Sequence, residues 1–123
     1  MIIIDANAIL RYILSDNADM AKTVNDLIIN NRIIIRYEVM AEVIYVLQKV
    51  YGLPRNEIKD GVSVFLSLPN VEVENEDVLL VALDTYSDKK LDFVDCLLYG
   101  FKFVYGYDVF TFDKDLRRLL DTI

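Results

Sequence analysis

The sequence contains no histidine, and that absence removes more chemistry than any other. Ser–His–Asp and Cys–His nucleophile arrangements, zinc sites built on imidazole and the commonest general base are all excluded. Cysteine is nearly absent as well. Cys96 stands alone, so there is neither an internal disulfide nor a thiolate metal cluster, and a reducing cytosol is the simplest setting. Hydrolytic chemistry in such a chain rests on carboxylates, with a hard metal ion as their partner. Two prolines and four glycines in 123 residues leave little room for long irregular segments. Apolar runs are only a few residues long, which excludes a membrane-spanning helix. The apolar start has neither the basic n-region nor the small-residue cleavage site of a signal peptide. A hydrophobic fraction of 54% excludes a disordered chain, and the length predicts one domain over residues 1–123 with a core that needs no covalent staples.

Basic side chains are in deficit, and unevenly so. Residues 1–60 carry 7 basic and 8 acidic side chains and residues 61–123 carry 6 and 12, for a net charge of -7. That balance opposes unaided grip on a polyanion. It suits divalent cations or a basic partner segment, and it suits solubility alone equally well.

What is present is a regular alternation of apolar periods. Ile2–Ile4 reads as a strand and Ala6–Leu14 as a short helix, with Asp16 or Asn17 able to start the next one. Met20, Ala21, Val24, Leu27 and Ile28 recur at helical spacing, and Arg32–Ile35 is a second strand. Glu38 to Val50 is a strong helix with Val39, Val43, Val46, Leu47 and Val50 on one face; Gly52 stops it and Pro54 suits the following first turn. Ile58, Val62, Phe65 and Leu66 form the next stripe, Val71–Val73 a short strand, and Asp77–Tyr86 a helix. Leu91–Val94 leads into a helix running to about Phe103. Tyr107–Phe112 is predicted as a strand, and Leu116, Leu119 and Leu120 mark a last helix. Strands alternating with helices through short joints predict an α/β fold, a three-layer α/β/α sandwich around a mostly parallel central sheet.

Several carboxylates fall where such a fold gathers ligands, at the carboxyl ends of strands. Asp5 follows the first strand, and Asp113 follows the predicted last one in VFTFDKD. Glu42 lies in an apolar helix four residues after Glu38, either on a solvated face or turned toward the sheet edge. Asp92 and Asp95 make a D-x-x-D at a helix start, which puts both on one face. One is explained as an N-cap; Asp95, between Phe93-Val94 and Cys96-Leu97-Leu98, sits where an unpaired charge is costly. Asp115 is either a further ligand or a first-turn acid matching the helix dipole. Carboxylates brought within ~4–6 Å raise one another's pKa unless a cation lies among them. Mg²⁺ and Mn²⁺ take oxygen ligands, and a pair of such ions ~4 Å apart activates the attacking water and stabilises the leaving oxygen in phosphodiester hydrolysis. An aspartyl-nucleophile phosphatase needs a second acid two residues after Asp5, where Asn7 stands instead.

Taken in order, MIIIDAN, AEVIYVL, LDFVDCLL and VFTFDKDL resemble the PIN-domain ribonucleases, in particular the toxin component of VapBC toxin–antitoxin pairs, and the resemblance extends through Arg11–Leu14 and YGLPRNEI over essentially the whole chain. It implies four acidic positions at Asp5, Glu42, Asp95 and Asp113, a small polar residue at Asn7, an accessory acid at Asp92 and a hydroxyl at Thr111. It implies a metal-dependent endoribonuclease using Mg²⁺ or Mn²⁺ on an RNA substrate, strand order three-two-one-four-five, a cytoplasmic homodimer and a cognate antitoxin whose tail lies over the site. The alternative is a non-catalytic PIN-like binding or scaffolding protein. Two departures stand out: Ala6 replaces the more usual Thr or Ser, and the bulky YGFKFVYGYDVF replaces a small-residue run. Arg11 and Arg36 either contact phosphates or are solvated charges. Tyr12, Tyr37, Tyr45 and Tyr51 suit a partner surface or base stacking. Cys96 reads as a buried small residue.

Overall fold

A computed structural model describes residues 1–123. Contacts gather the chain into two compact units, Met1–Glu74 and Asn75–Ile123.

The first unit holds the sheet. β1 (Ile2–Ile3), β2 (Ile33–Ile35) and β3 (Val71–Val73) pair in the order β1-β2-β3, all parallel, with Ile2 opposite Ile33, and Ile33 and Ile35 opposite Val71 and Val73. Parallel neighbours cannot be joined by a hairpin. The crossovers are α1 (Ala6–Leu14) with α2 (Ala18–Asn30), then α3 (Tyr37–Lys49) with α4 (Arg55–Leu66). Ile33 and Ile35 are fully buried, as a covered parallel strand requires.

Side-chain caps set the helix starts. Asp5 accepts from the Ala8 N–H to begin α1 and Asn17 accepts from the Met20 N–H to begin α2, each satisfying a donor that has no partner within the helix. Asp16 does not cap; it pairs with Arg11. On α3 the buried stripe is Met40, Val43, Ile44 and Leu47, an i, i+3, i+4, i+7 set. The expected line through Val39, Val46 and Val50 is rotated off it: Val39 and Val46 are half-buried and Val50 is exposed. Valines are interchangeable in a periodicity count, and contact with α1 and α4 selects which of them is covered.

The second unit is helical: α5 (Glu76–Asp88), α6 (Phe93–Tyr105) and α7 (Lys114–Leu120). Val78, Leu79, Ala82, Leu83 and Tyr86 of α5 pack with Phe93, Cys96, Leu97 and Gly100 of α6. Tyr86 meets Phe93 edge-on at 5.8 Å. Gly100 marks the close approach: a Cβ there would lie 2.8 Å from the Val78 carbonyl oxygen and 3.1 Å from Val78 Cγ1. Gly100→Ala is therefore expected to destabilise the protein by about 1–2 kcal/mol, because overpacking against backbone outweighs the ~1 kcal/mol by which Ala favours a helix over Gly. The midpoint of urea denaturation reads this out; an unchanged or raised midpoint would refute the close packing.

The predicted strand at Tyr107–Phe112 is not formed. Gly106 ends α6 with a left-handed φ of 73°, and residues 107–113 are irregular up to α7. A strand exists only as one side of a ladder, and no ladder includes this segment. Its rings pack locally instead. Tyr107 stacks with Phe101 and Tyr105, and Phe110 meets Phe112 edge-on at 5.1 Å. The implied strands four and five are accordingly missing, and Asp113 follows a loop rather than a strand. A helix-rich α/β chain with a three-stranded parallel sheet is consistent with the expected α/β/α sandwich.

Candidate active site

In the first unit, Asp5 and Asn7 line a groove of about 330 Å³ together with Arg11, Asp19, Met20 and Thr23. One oxygen of Asp5 is committed to the Ala8 N–H at 3.0 Å, which leaves the carboxylate's other lone pairs for a ligand. Arg11 enters from the next turn of α1. Its Nη1 donates to both oxygens of Asp16 at 2.9 Å and its Nη2 to the Tyr51 hydroxyl at 3.2 Å, while Nε is buried without a partner. Arg11 is thus a held guanidinium rather than a solvated charge. Arg36 is engaged by Glu38 and Glu74. Glu42 is exposed on α3, one position ahead of buried Val43. Of the four tyrosines in this half, Tyr45 and Tyr51 are exposed, whereas Tyr12 is half-buried against Phe65 at 5.5 Å and Tyr37 is half-buried.

In the second unit, the start of α6 and the start of α7 bring Asp92 and Asp113 into electrostatic reach of Asp95. Asp92 is the N-cap residue of α6 but makes no side-chain capping bond. Asp113 caps α7, its Oδ1 accepting from the Leu116 N–H at 2.8 Å, and its own N–H donates to Thr111 Oγ1 at 3.0 Å. Asp95 is half-buried in the first turn of α6. Its carboxyl is pushed above the usual carboxylate range by burial first, then by the charge of Asp113, then by that of Asp92. A first-turn acid is stabilised by the helix dipole, which acts in the opposite direction. The upward shift therefore means that desolvation and like-charge repulsion win.

The donors are all carboxylate oxygens, and Cys96 is fully buried, so the set suits a hard ion of the Mg²⁺ or Mn²⁺ kind rather than zinc. As the side chains are placed, no three acids, histidines or cysteines stand close enough to hold an ion among them. Asp115 is drawn aside into an ion pair with Arg118. Reading the sequence for apolar phase missed the aromatic surface of this unit: Phe103, Tyr105, Tyr107, Phe110 and Phe112 are exposed. The bulk of YGFKFVYGYDVF was the available signal.

No helix is long and apolar enough to cross a membrane. No curated protein and no solved structure matches the chain. The sequence model of the PIN domain matches residues 2–120, from the first residue of β1 to the last of α7. PIN domains are generally nucleases, hydrolases that act on nucleic acid with divalent metals. With a match of that extent over an α/β chain whose sheet is parallel and whose acids sit at helix starts, the chain belongs to the PIN domain family.

Proposed function

We propose that this PIN domain is a divalent-metal-dependent endoribonuclease and the toxin of a type II toxin–antitoxin pair, acting in the cytoplasm as a homodimer. The metal ligands are drawn from Asp5, Glu42, Asp92, Asp95 and Asp113, with Asn7 orienting a carboxylate or a water. The observation that carries this reading is the PIN-domain match over residues 2–120, and the half-buried Asp95 at the start of α6, with Asp92 and Asp113 acting on it, fits that reading. An acid kept in that setting costs stability and is relieved by a cation. A bound divalent ion lowers the pKa of an attacking water and offsets charge on the phosphoryl oxygens. The chain's own part is to hold carboxyl oxygens in place. The helix caps at Asp5 and Asp113 do that, since each fixes one carboxylate oxygen on a backbone N–H. The toxin role is supported by the order and spacing of the four sequence motifs. A net charge of -7 suits an antitoxin that reaches the site with a basic segment.

The same two caps favour the competing reading, a non-catalytic binding protein, because they give Asp5 and Asp113 structural work without any metal. Incubating the purified protein with labelled RNA separates the two. Cleavage is expected with Mn²⁺ or Mg²⁺, leaving 5′-phosphate and 3′-hydroxyl ends, and EDTA is expected to reduce it at least ~100-fold. Intact RNA under all metal conditions would decide for the non-catalytic protein.

A further inference from the structure

The chain joining α5 to α6 reads Lys89-Lys90-Leu91 and runs directly into Asp92 of the D-x-x-D. These three residues line a groove of about 430 Å³ together with Asp115, Arg118 and Thr122 of α7 and the turn after it. The volume lies within the ~300–1,000 Å³ of ligand clefts. Residues 75–123 carry 10 acidic and 6 basic side chains, so half of the unit's cations gather in this one groove. Solubility alone gives no reason for that concentration.

The state of each cation matters. Lys90 is exposed and has no carboxylate partner. Lys89 lies 3.9 Å from Asp88 with both side chains more than half exposed, a weak pairing at the surface. Arg118 is paired with Asp115 inside the groove, and a guanidinium has five donors, most of which this contact leaves unused. The fittest ligand for two ammonium groups and a guanidinium is a chain of phosphates. Position points the same way. The groove begins one residue before Asp92, and from Asp113, the N-cap of α7, five residues at 1.5 Å each reach Arg118 about 7.5 Å further along the helix axis. That is roughly two nucleotides of a stacked strand at 3.4 Å each.

We propose that this groove binds the phosphodiester backbone of single-stranded RNA roughly two nucleotides from the scissile bond, with Lys89, Lys90 and Arg118 as phosphate contacts and Asp115 as a built-in competitor for Arg118. The distance to the scissile bond rests on the function proposed above; the binding does not. A protein of net charge -7 gains from such a device, because it confines the attraction for a polyanion to one track beside the acids.

Binding of a short fluorescein-labelled oligouridylate is measured by anisotropy in EDTA, so that nothing is cut, over a range of KCl concentrations. Lys90→Gln combined with Arg118→Gln is expected to weaken binding about tenfold at low salt and to flatten the slope of log K against log salt by about 1.4, at ~0.7 per lost phosphate contact. Asp115→Asn is expected to strengthen binding several-fold, a gain that a damaged fold cannot imitate. Unchanged affinity and slope in the double variant, weaker binding by Asp115→Asn, or no binding by the wild type would each overturn the groove. The two proposals fail separately. RNA that binds through the groove yet stays uncut in Mn²⁺ refutes the nuclease and keeps the groove; RNA that is cut by a protein whose binding ignores Lys90 and Arg118 does the reverse.

Discussion

Asp95→Asn is expected to abolish RNA cleavage, by about 10²–10³-fold or more, while making the metal-free protein more stable. The opposite signs come from one cause. Burial, then Asp113, then Asp92 hold the Asp95 carboxyl above the ordinary range, so the folded protein binds its proton more readily than the unfolded chain does. Stability then falls as pH rises through the carboxylate range toward the raised folded-state pKa, and the penalty is fully present above it. Asparagine removes the charge and nearly preserves the shape. In EDTA at pH 7 the midpoint of thermal unfolding should rise, and the difference from wild type should shrink as the pH falls to the ordinary carboxylate range at about pH 4. Adding Mn²⁺ should stabilise the wild type and leave the variant unmoved, because a ligand that binds only the folded state shifts its stability. Expression should arrest growth in the wild type and not in the variant. A variant that loses stability and still cuts would show Asp95 to be a structural acid.

Asp5 separates capping from catalysis. Its carboxylate accepts from the Ala8 N–H, and asparagine caps a helix as well as aspartate does. Asp5→Asn is therefore expected to leave the urea midpoint within about 0.5 kcal/mol of wild type and to lower cleavage about 10²–10³-fold. Asp5→Ala should lose the same activity and also ~1 kcal/mol of stability with the cap. If Asp5→Asn cuts RNA at the wild-type rate, the residue is a cap and nothing more, and the metal ligands lie elsewhere. Asp113, capping α7 through the Leu116 N–H, divides by the same pair of substitutions.

Much of the fold is legible in local pattern. The span Ala6–Leu14 of α1 is the one read from the sequence, Asn17 is one of the two starts offered for α2, and the stripe of Ile58, Val62 and Phe65 on α4 is the one that becomes buried. These features depend on residues three or four apart, which a single helix brings together whatever surrounds it. The segment 107–112 shows where such reading ends. Tyr107, Val109 and Thr111 alternate with Asp108, Phe110 and Phe112 as a strand would, but a strand also needs a neighbour to pair with. Here local ring stacking takes the residues instead. The candidate site divides in the same way. That the acids are spaced for a metal was readable, and so was the costly apolar setting of Asp95, since burial is the largest cause of its shift; the further push from Asp113 was not, because it depends on α7 bringing Asp113 near the start of α6.

From composition alone came the kind of chemistry open to this chain. Without histidine, and with a single cysteine that has no base to activate it, the chain was left with carboxylates to handle a hydrolytic water. Long-range packing settled three further matters: which distant carboxylate presses on Asp95, which cations share a groove, and which aromatics stay in solvent. Lys89-Lys90 and Arg117-Arg118 are unremarkable basic pairs along the chain, yet α7 brings Arg118 to the groove that Lys89 and Lys90 line. The physical reason is one of range. Residue type and short spacing determine what a group can do, but its charge state and its company depend on contacts between segments distant in the chain, which form only when the core closes.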